Sequence, residues 1–167
     1  MTLNWSELRV LICANSERHR EMVLQILRAC GIKNVRGSPA VVGRDNLISS
    51  QPFDLIVGRL RHNDTSILDV VKWLRTPKTT PAPGIPILVS VTDTERAYLS
   101  AAIKTGVDML VAEPLTIDGM KKRIQALMTA PVARITTEHY TGPDRRRTPD
   151  SHAPYKGVER RKPTRAR

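Results

Sequence analysis

The sequence predicts an α/β fold in which a doubly wound parallel sheet of five strands carries helices on both faces. The main observation is that short apolar runs alternate five times with amphipathic segments over residues 1–129. Parallel strands need crossover connections, which usually contain a helix and are right-handed, so this alternation favours a parallel sheet. The length is the second observation, because 167 residues with a hydrophobic fraction of 40% suffice for one domain with a tail.

The first two strand–helix units differ in strength. Residues 8–14 (LRVLICA) form an apolar run that is continuous enough, apart from Arg9, to predict a strand buried on both faces. Residues 16–30 follow with apolar side chains at helical spacing, and Gly31 stands where a left-handed C-cap would end a helix. Residues 33–38 predict a weak second strand, and residues 40–51 predict a second helix that a glycine and serines weaken.

The remaining three units are more regular. Thr92 and Glu95 have the spacing of a capping box, and Gly106 follows the helix that they would open. The predicted segments are strand 53–58, helix 65–76, a proline-rich loop 77–84, strand 85–91, helix 92–104, strand 108–112, turn 113–115 and helix 116–129. Five such units suit a flavodoxin-like sheet of order 2-1-3-4-5, in which sites lie at the carboxyl ends of the strands.

The net charge of the chain is strongly basic and unevenly distributed. The formal charge is +11, and residues 131–167 hold ten Lys and Arg against four Asp and Glu. This excess favours an acidic partner, such as nucleic acid, anionic lipid, a phosphorylated small molecule or an acidic protein face.

The cysteines, the histidines and the lengths of the apolar runs bear on the cellular compartment and on bound cofactors. Cys13 and Cys30 lie in apolar runs, which predicts two buried, reduced thiols. No run has the length of a membrane span and no signal peptide is evident, so we expect a cytoplasmic protein. The four histidines lack metal-ligand spacing, and Ser16, Ser66 and Ser90 lack a His and Asp arrangement that would activate a nucleophile. The sequence therefore predicts neither an enzyme nor a bound metal or cofactor.

Three stretches, residues 9–31, 52–75 and 85–116, together with the helix that follows, resemble the response-regulator receiver (CheY-like) domain. That family carries an acidic pair after the first strand, a phospho-accepting Asp after the third, a Ser or Thr after the fourth, and a Lys before a cis-proline after the fifth. In register, these positions fall on Ala14, Asn15, Arg59, Val91, Glu113 and Pro114. Only the proline is retained, so the resemblance implies a degenerate pseudo-receiver.

The substitutions exclude the family's phosphoryl chemistry. Arg59 stays protonated and cannot accept a phosphoryl group, and Ala14 with Asn15 supplies too little negative charge to hold Mg²⁺. The family pairs a carboxylate on the third strand with a lysine on the fifth, and here the two charges are exchanged. We therefore predict an ion pair between Arg59 and Glu113 that holds the pocket in one state. The alternative is that both side chains are solvated at the sheet edge.

From Ala130 onward the sequence is rich in proline and charge, and residues 130–167 are predicted to be a disordered basic tail. The tail contains two copies, fifteen residues apart, of the pattern Tyr-x-Gly-x-acid-Arg-Arg, at 140–146 and 155–161. Paired arginines provide forks for phosphate or carboxylate, and tyrosine provides a stacking face. The candidate anion-binding residues are Tyr140, Arg145, Arg146, Arg147, Tyr155, Arg160, Arg161 and Arg165.

The sequence leaves three functions open. The first is a receiver-fold signalling adaptor of the two-component or phosphorelay type, which works without phosphorylation through protein contacts and uses the arginine-rich arm on an anionic partner. The second is a cyclic-di-GMP effector, because residues 160–165 (RRKPTR) have the Arg-Arg-x-x-x-Arg spacing of PilZ-type binders. The third is a nucleic-acid- or ribosome-associated protein that uses the tail.

Overall fold

A computed structural model describes residues 3–40, 48, 51–76, 84–92, 96–130, 133–136 and 141–144. Five parallel strands form one sheet in the order β2-β1-β3-β4-β5, as the sequence predicts. The strands are β1 (Arg9–Cys13), β2 (Asn34–Ser38), β3 (Leu55–Leu60), β4 (Ile87–Val91) and β5 (Met109–Ala112). The central strands are buried almost throughout because helices cover both faces.

Four helices with resolved bounds flank the sheet within the described part of the chain. They are α1 (Glu17–Ala29), α2 (Ser66–Arg75), α3 (Arg96–Thr105) and α4 (Ile117–Thr129). One core cluster lies between the sheet and helices α2 and α3, and a second lies between the sheet and helices α1 and α4. None of the described helices is long and apolar enough to cross a membrane.

Most predicted helix ends agree with the structure. The Ser16 side chain caps α1 by accepting a hydrogen bond from the His19 amide. The Thr116 side chain caps α4 by accepting one from the Gly119 amide. Gly31 and Gly106 follow α1 and α3 with positive φ, the conformation that glycine adopts without strain. Cys13 and Cys30 are buried free thiols, as predicted.

Some predicted features lie outside the described residues. Of the second predicted helix, Ile48 is described and is helical and buried, but its neighbours are not described. Residue 95 of the proposed capping box and most of the loop 77–84 also lie outside.

Gly58 on β3 has almost no room for a side chain. A Cβ atom there would lie 2.4 Å from two side-chain carbons of Ile67, which is fully buried in the core cluster against α2. We expect Gly58→Ala to destabilise the fold by about 1–3 kcal/mol through overpacking. Urea denaturation would measure this loss of unfolding free energy. The double variant with Ile67→Ala should lose less unfolding free energy than the sum of the two single variants. Purely additive losses would contradict the packing explanation.

The first part of the tail differs from the prediction of disorder. Strands β6 (Arg134–Thr136) and β7 (Thr141–Pro143) pair as an antiparallel hairpin, and the Asp144 amide donates to the Ala133 carbonyl. The hairpin includes Gly142 and Pro143 of the first repeat copy, and both are buried. Local composition does not predict the hairpin, because the contact that holds it is made with a distant residue of the folded domain.

That anchor is Asp108, whose carboxylate lies just before β5 and is 5% exposed. Its Oδ1 accepts a 2.8 Å bond from Arg134 Nη2, and its Oδ2 accepts 2.7 Å bonds from Arg75 Nη2 and from the Ile87 amide. The buried Arg75 also donates to two backbone carbonyls. A buried polar cluster therefore joins helix α2, the amino ends of β4 and β5, and the start of the tail.

Candidate functional site

The candidate site lies at the carboxyl ends of β3, β4 and β5. Arg59 and Ser90 are register partners on neighbouring strands, and the Glu113 amide donates to the Val91 carbonyl just after β5. Strand β3 ends at Leu60, two residues later than predicted, so Arg59 lies within the strand. The strand geometry fixes the backbones of all three side chains.

Arg59 and Glu113 form the ion pair that the sequence predicts. Arg59 Nε donates to Glu113 Oε1 at 2.9 Å, and Arg59 Nη2 donates to Oε2 at 2.8 Å. Their side chains are 17% and 15% exposed. The alternative of two solvated side chains is therefore wrong, and the paired planar groups give a directional, charge-assisted contact.

Ser90 extends this pair into the interior. It is fully buried, and its hydroxyl donates to Glu113 Oε1 at 3.1 Å. His19 of α1 approaches from the other side, with Nε2 3.5 Å from Ser90 Oγ and Nδ1 3.8 Å from Glu113 Oε1. Serine, histidine and a carboxylate thus meet here, contrary to the sequence-based interpretation of Ser90. A hydroxyl without solvent access cannot reach a substrate, so the cluster is structural in this conformation.

Val91, the position that the resemblance assigns to the hydroxyl, faces the opposite side of the sheet. It is buried in the core cluster against α2 and α3. Successive residues of a strand point to opposite faces, so Ser90 and not Val91 faces the ion pair. Both residues are evident in the sequence, but only the register of the sheet decides which side chain contacts the ion pair.

The ionisation states follow from burial and from the pair. Burial alone would raise the pKa of Glu113, but hydrogen bonds and charge from Arg59, with help from Ser90, bring it below its usual value. Burial, with repulsion from Arg59 and Arg61, lowers the pKa of His19 from 6.5 to about 4. His19 is therefore neutral at pH 7, and its contact with Glu113 is then not an ion pair.

We expect the stability of the protein to fall as the pH drops from 6.5 to about 4. In this window the unfolded chain protonates His19 while the folded chain does not, so acid favours unfolding by up to about 3 kcal/mol. Urea denaturation between pH 4.5 and 6.5 would measure the slope, which should be about 1 kcal/mol per pH unit near its steepest. His19→Gln should flatten it and His62→Gln should not, and equal slopes in both variants would contradict this assignment.

Ala14 and Asn15 follow β1, and neither offers a free ligand for a cation. Ala14 is buried. The Asn15 amide nitrogen donates to Asp64 and to Ser66 at 2.9 to 3.2 Å, and its oxygen accepts from the Ala40 amide at 3.0 Å. The amide group is therefore already satisfied by its neighbours. Among the described residues, no group of three His, Cys, Asp or Glu side chains could hold a metal ion.

The remaining predicted site residues are Pro114 and the candidate anion-binding residues of the basic tail. The peptide bond between Glu113 and Pro114 is cis. The candidate arm residues Tyr140, Arg145, Arg146, Arg147, Tyr155, Arg160, Arg161 and Arg165 lie outside the described residues. Their grouping therefore stays a prediction.

No family model and no curated protein matches the chain, but solved structures with the same fold include chemotaxis proteins, response regulators and receiver domains. The chemotaxis protein CheY4 of Vibrio cholerae is 20% identical, with a TM-score of 0.61 over 71% of this chain and 96% of that one. A signal receiver domain of a histidine kinase from Syntrophus aciditrophicus is 16% identical, with a TM-score of 0.62 over 78% and 98%. The orphan response regulator HP1043 of H. pylori is 19% identical, with a TM-score of 0.59 over 74% and 98%. The chain therefore has the receiver fold.

Proposed function

We propose that this chain is a phosphorylation-independent signalling adaptor of receiver fold, related to two-component or phosphorelay systems, which acts through protein contacts. The observation that supports it is the bidentate pair between Arg59 and Glu113, where receivers carry an acceptor carboxylate and a lysine. The exchanged charges satisfy each other without a phosphoryl group or a metal ion. The pocket then has one stable arrangement and no chemical input that would switch it.

The surroundings of the pair support the absence of an acceptor. Asp64 is the carboxylate beside Asn15, and it accepts hydrogen bonds from Asn15 and from the backbone and hydroxyl of Ser66. Phosphoryl transfer needs a nucleophilic carboxylate, a bound Mg²⁺ and a cation placed for the developing charge. Neither Ala14 nor Asn15 supplies the carboxylate that would hold the metal.

Mass spectrometry after incubation with acetyl phosphate and Mg²⁺ tests this proposal. We expect the mass of the chain to stay unchanged, while a receiver domain with an intact acceptor aspartate gains one phosphoryl group in the same reaction. Covalent phosphate found on any carboxylate of this chain would reject the proposal.

The arm beyond Asp144 is proposed to bind an anionic partner. It follows the hairpin that Arg134 joins to Asp108, so a truncation at Thr129 would remove part of the folded body together with the arm. Pull-downs should therefore compare the full chain with a chain that ends at Asp144. A partner bound by the arm should be lost from the shorter chain, whereas retention of every partner would assign binding to the receiver fold alone.

Cyclic-di-GMP binding is the second candidate, and the repeat favours it because two Tyr-and-Arg-Arg units could hold two phosphates and two purines. Calorimetry should then give a fixed stoichiometry that Arg146→Ala or Arg161→Ala removes. Nucleic-acid binding would instead weaken steeply with salt and tolerate many sequences. No heat with the dinucleotide and no salt-dependent binding of RNA or DNA would leave the protein partner as the ligand of the arm.

A further inference from the structure

A second concave surface lies at the amino ends of β1, β2 and β3, away from the ion pair at the carboxyl ends. It is a cleft of about 410 Å³, a size that suits a small molecule. The lining residues that matter for its chemistry are Arg9, Lys33, Arg36, Gln51, Pro52 and Phe53.

The cleft carries uncompensated positive charge. Arg9 donates to Asp54 through Nε and Nη2, so its charge is balanced. Lys33 and Arg36 are exposed, and neither forms an ion pair or a side-chain hydrogen bond with any residue in the described part of the chain. No carboxylate belongs to the lining. Two free cations at one concave surface favour an anion over a neutral ligand.

The cleft also has an apolar part of its lining, formed by Phe53 and Pro52. Phe53 is partly buried and packs against the core cluster, which holds its ring in place. Pro52 adds a second rigid apolar surface, and the Gln51 amide offers both a donor and an acceptor. An aromatic face beside a guanidinium and an ammonium is a combination that binds a base and its phosphate.

Lys33 just before β2 and Arg36 within it also have a simpler role, since β2 is an edge strand of the described five-stranded sheet and charges protect such an edge from aggregation. That role does not require a cavity. Here the two cations line a cleft that also contains an aromatic ring fixed by the core. We propose that this cleft binds a small phosphorylated molecule with a planar ring, of the nucleotide class.

Nuclear magnetic resonance on the full chain tests the proposal, with adenosine 5′-monophosphate as the probe and inorganic phosphate as its comparison. We expect the amide signals of residues 33–36, Gln51 and Phe53 to shift, and the nucleotide to bind more tightly than phosphate because of Phe53. Lys33→Ala with Arg36→Ala should weaken binding at least about tenfold, the loss expected for one charge-assisted contact.

The matched control is Arg18→Ala with Lys122→Ala, which removes the same charge from exposed positions outside the cleft. It should leave the affinity within about twofold, a difference of under 0.5 kcal/mol by the relation of about 1.4 kcal/mol per tenfold. Equal weakening by both double variants would reduce the effect to net charge and overturn the proposal. Shifts confined to the arm beyond Asp144, or no shift with either probe, would overturn it as well. The pocket at the carboxyl ends plays no part in the measurement, so the outcome is independent of the proposed adaptor function.

Discussion

Replacing Asp108 with alanine is expected to destabilise the protein by about 3–5 kcal/mol, the loss that follows when one partner of a buried ion pair is removed. The carboxylate is 5% exposed and accepts bonds from Arg75, Arg134 and the Ile87 amide. Arg75 is 3% exposed and cannot reach solvent to replace its lost partner. The variant therefore removes the carboxylate that a buried guanidinium pairs with, and it leaves the Ile87 amide at the start of β4 without its acceptor.

Urea denaturation of the wild type and of Asp108→Ala would measure this loss. Asp69→Ala is the matched control, because Asp69 on α2 pairs with Lys72 at 3.7 Å while both side chains are more than half exposed. That pair should contribute less than about 0.5 kcal/mol. A loss below about 1 kcal/mol for Asp108→Ala would contradict the buried-cluster interpretation.

Arg134→Met separates the hairpin from the rest of the cluster. It removes the bond from Arg134 Nη2 to Asp108, but it also removes a buried Nη1 that has no hydrogen-bond partner among the described residues. The two effects oppose each other, so the global loss should be smaller than for Asp108→Ala. Selective loss of amide-exchange protection in β6 and β7 would show that this contact docks the hairpin.

The sheet and the ion pair could be predicted from sequence because both depend on patterns along the chain. Buried parallel strands appear as apolar runs, and the resemblance to the receiver domain set Arg59 and Glu113 at the ends of the third and fifth runs. Ser90 and His19 could not be assigned, because the register between β3 and β4 decides that Ser90 faces the pair and because α1 brings His19 over the sheet.

The hairpin and the cleft were missed for a different reason. Each depends on residues that are far apart in the chain, Asp108 with Arg134 in one case and Arg36 with Phe53 in the other. Residues 134–136 have no distinctive pattern, and their pairing with 141–143 gains its support from the docked arginine. Contacts of this kind form only in the folded protein. Composition alone therefore predicts that the hairpin segment belongs to the disordered tail.

The exchanged ion pair predicts a large energetic coupling that reversing both charges should recover. Arg59→Asp alone would set two carboxylates beside Ser90, and Glu113→Lys alone would set two cations beside His19. Each single change should cost about 2 kcal/mol, less than for a fully buried pair because the side chains are 15% to 17% exposed. The double variant restores opposite charges, so the double-mutant cycle should give a coupling of about 2–3 kcal/mol.

The control cycle is Arg9→Asp with Asp54→Arg, another pair in which Nε and Nη2 of an arginine meet one carboxylate. Those side chains are 45% and 29% exposed, so water should reduce that coupling to below about 1 kcal/mol. Both cycles belong at pH 7, where His19 is neutral. A coupling energy between Arg59 and Glu113 that is no larger than the control would mean that the ion pair does not keep the pocket in one arrangement.

The same double variant separates the ion pair from phosphoryl chemistry. With Asp at 59 and Lys at 113 it has the family's residues at two positions, while Ala14 and Asn15 still lack carboxylates for Mg²⁺. We expect acetyl phosphate to leave its mass unchanged, because an acceptor without the metal cannot neutralise the charge on the transferred group. A phosphorylated double variant would show that exchanging two charges was the only step that removed the reaction. An unmodified one with the expected coupling would show that the missing metal site prevents the reaction by itself, and that Arg59 and Glu113 serve the fold.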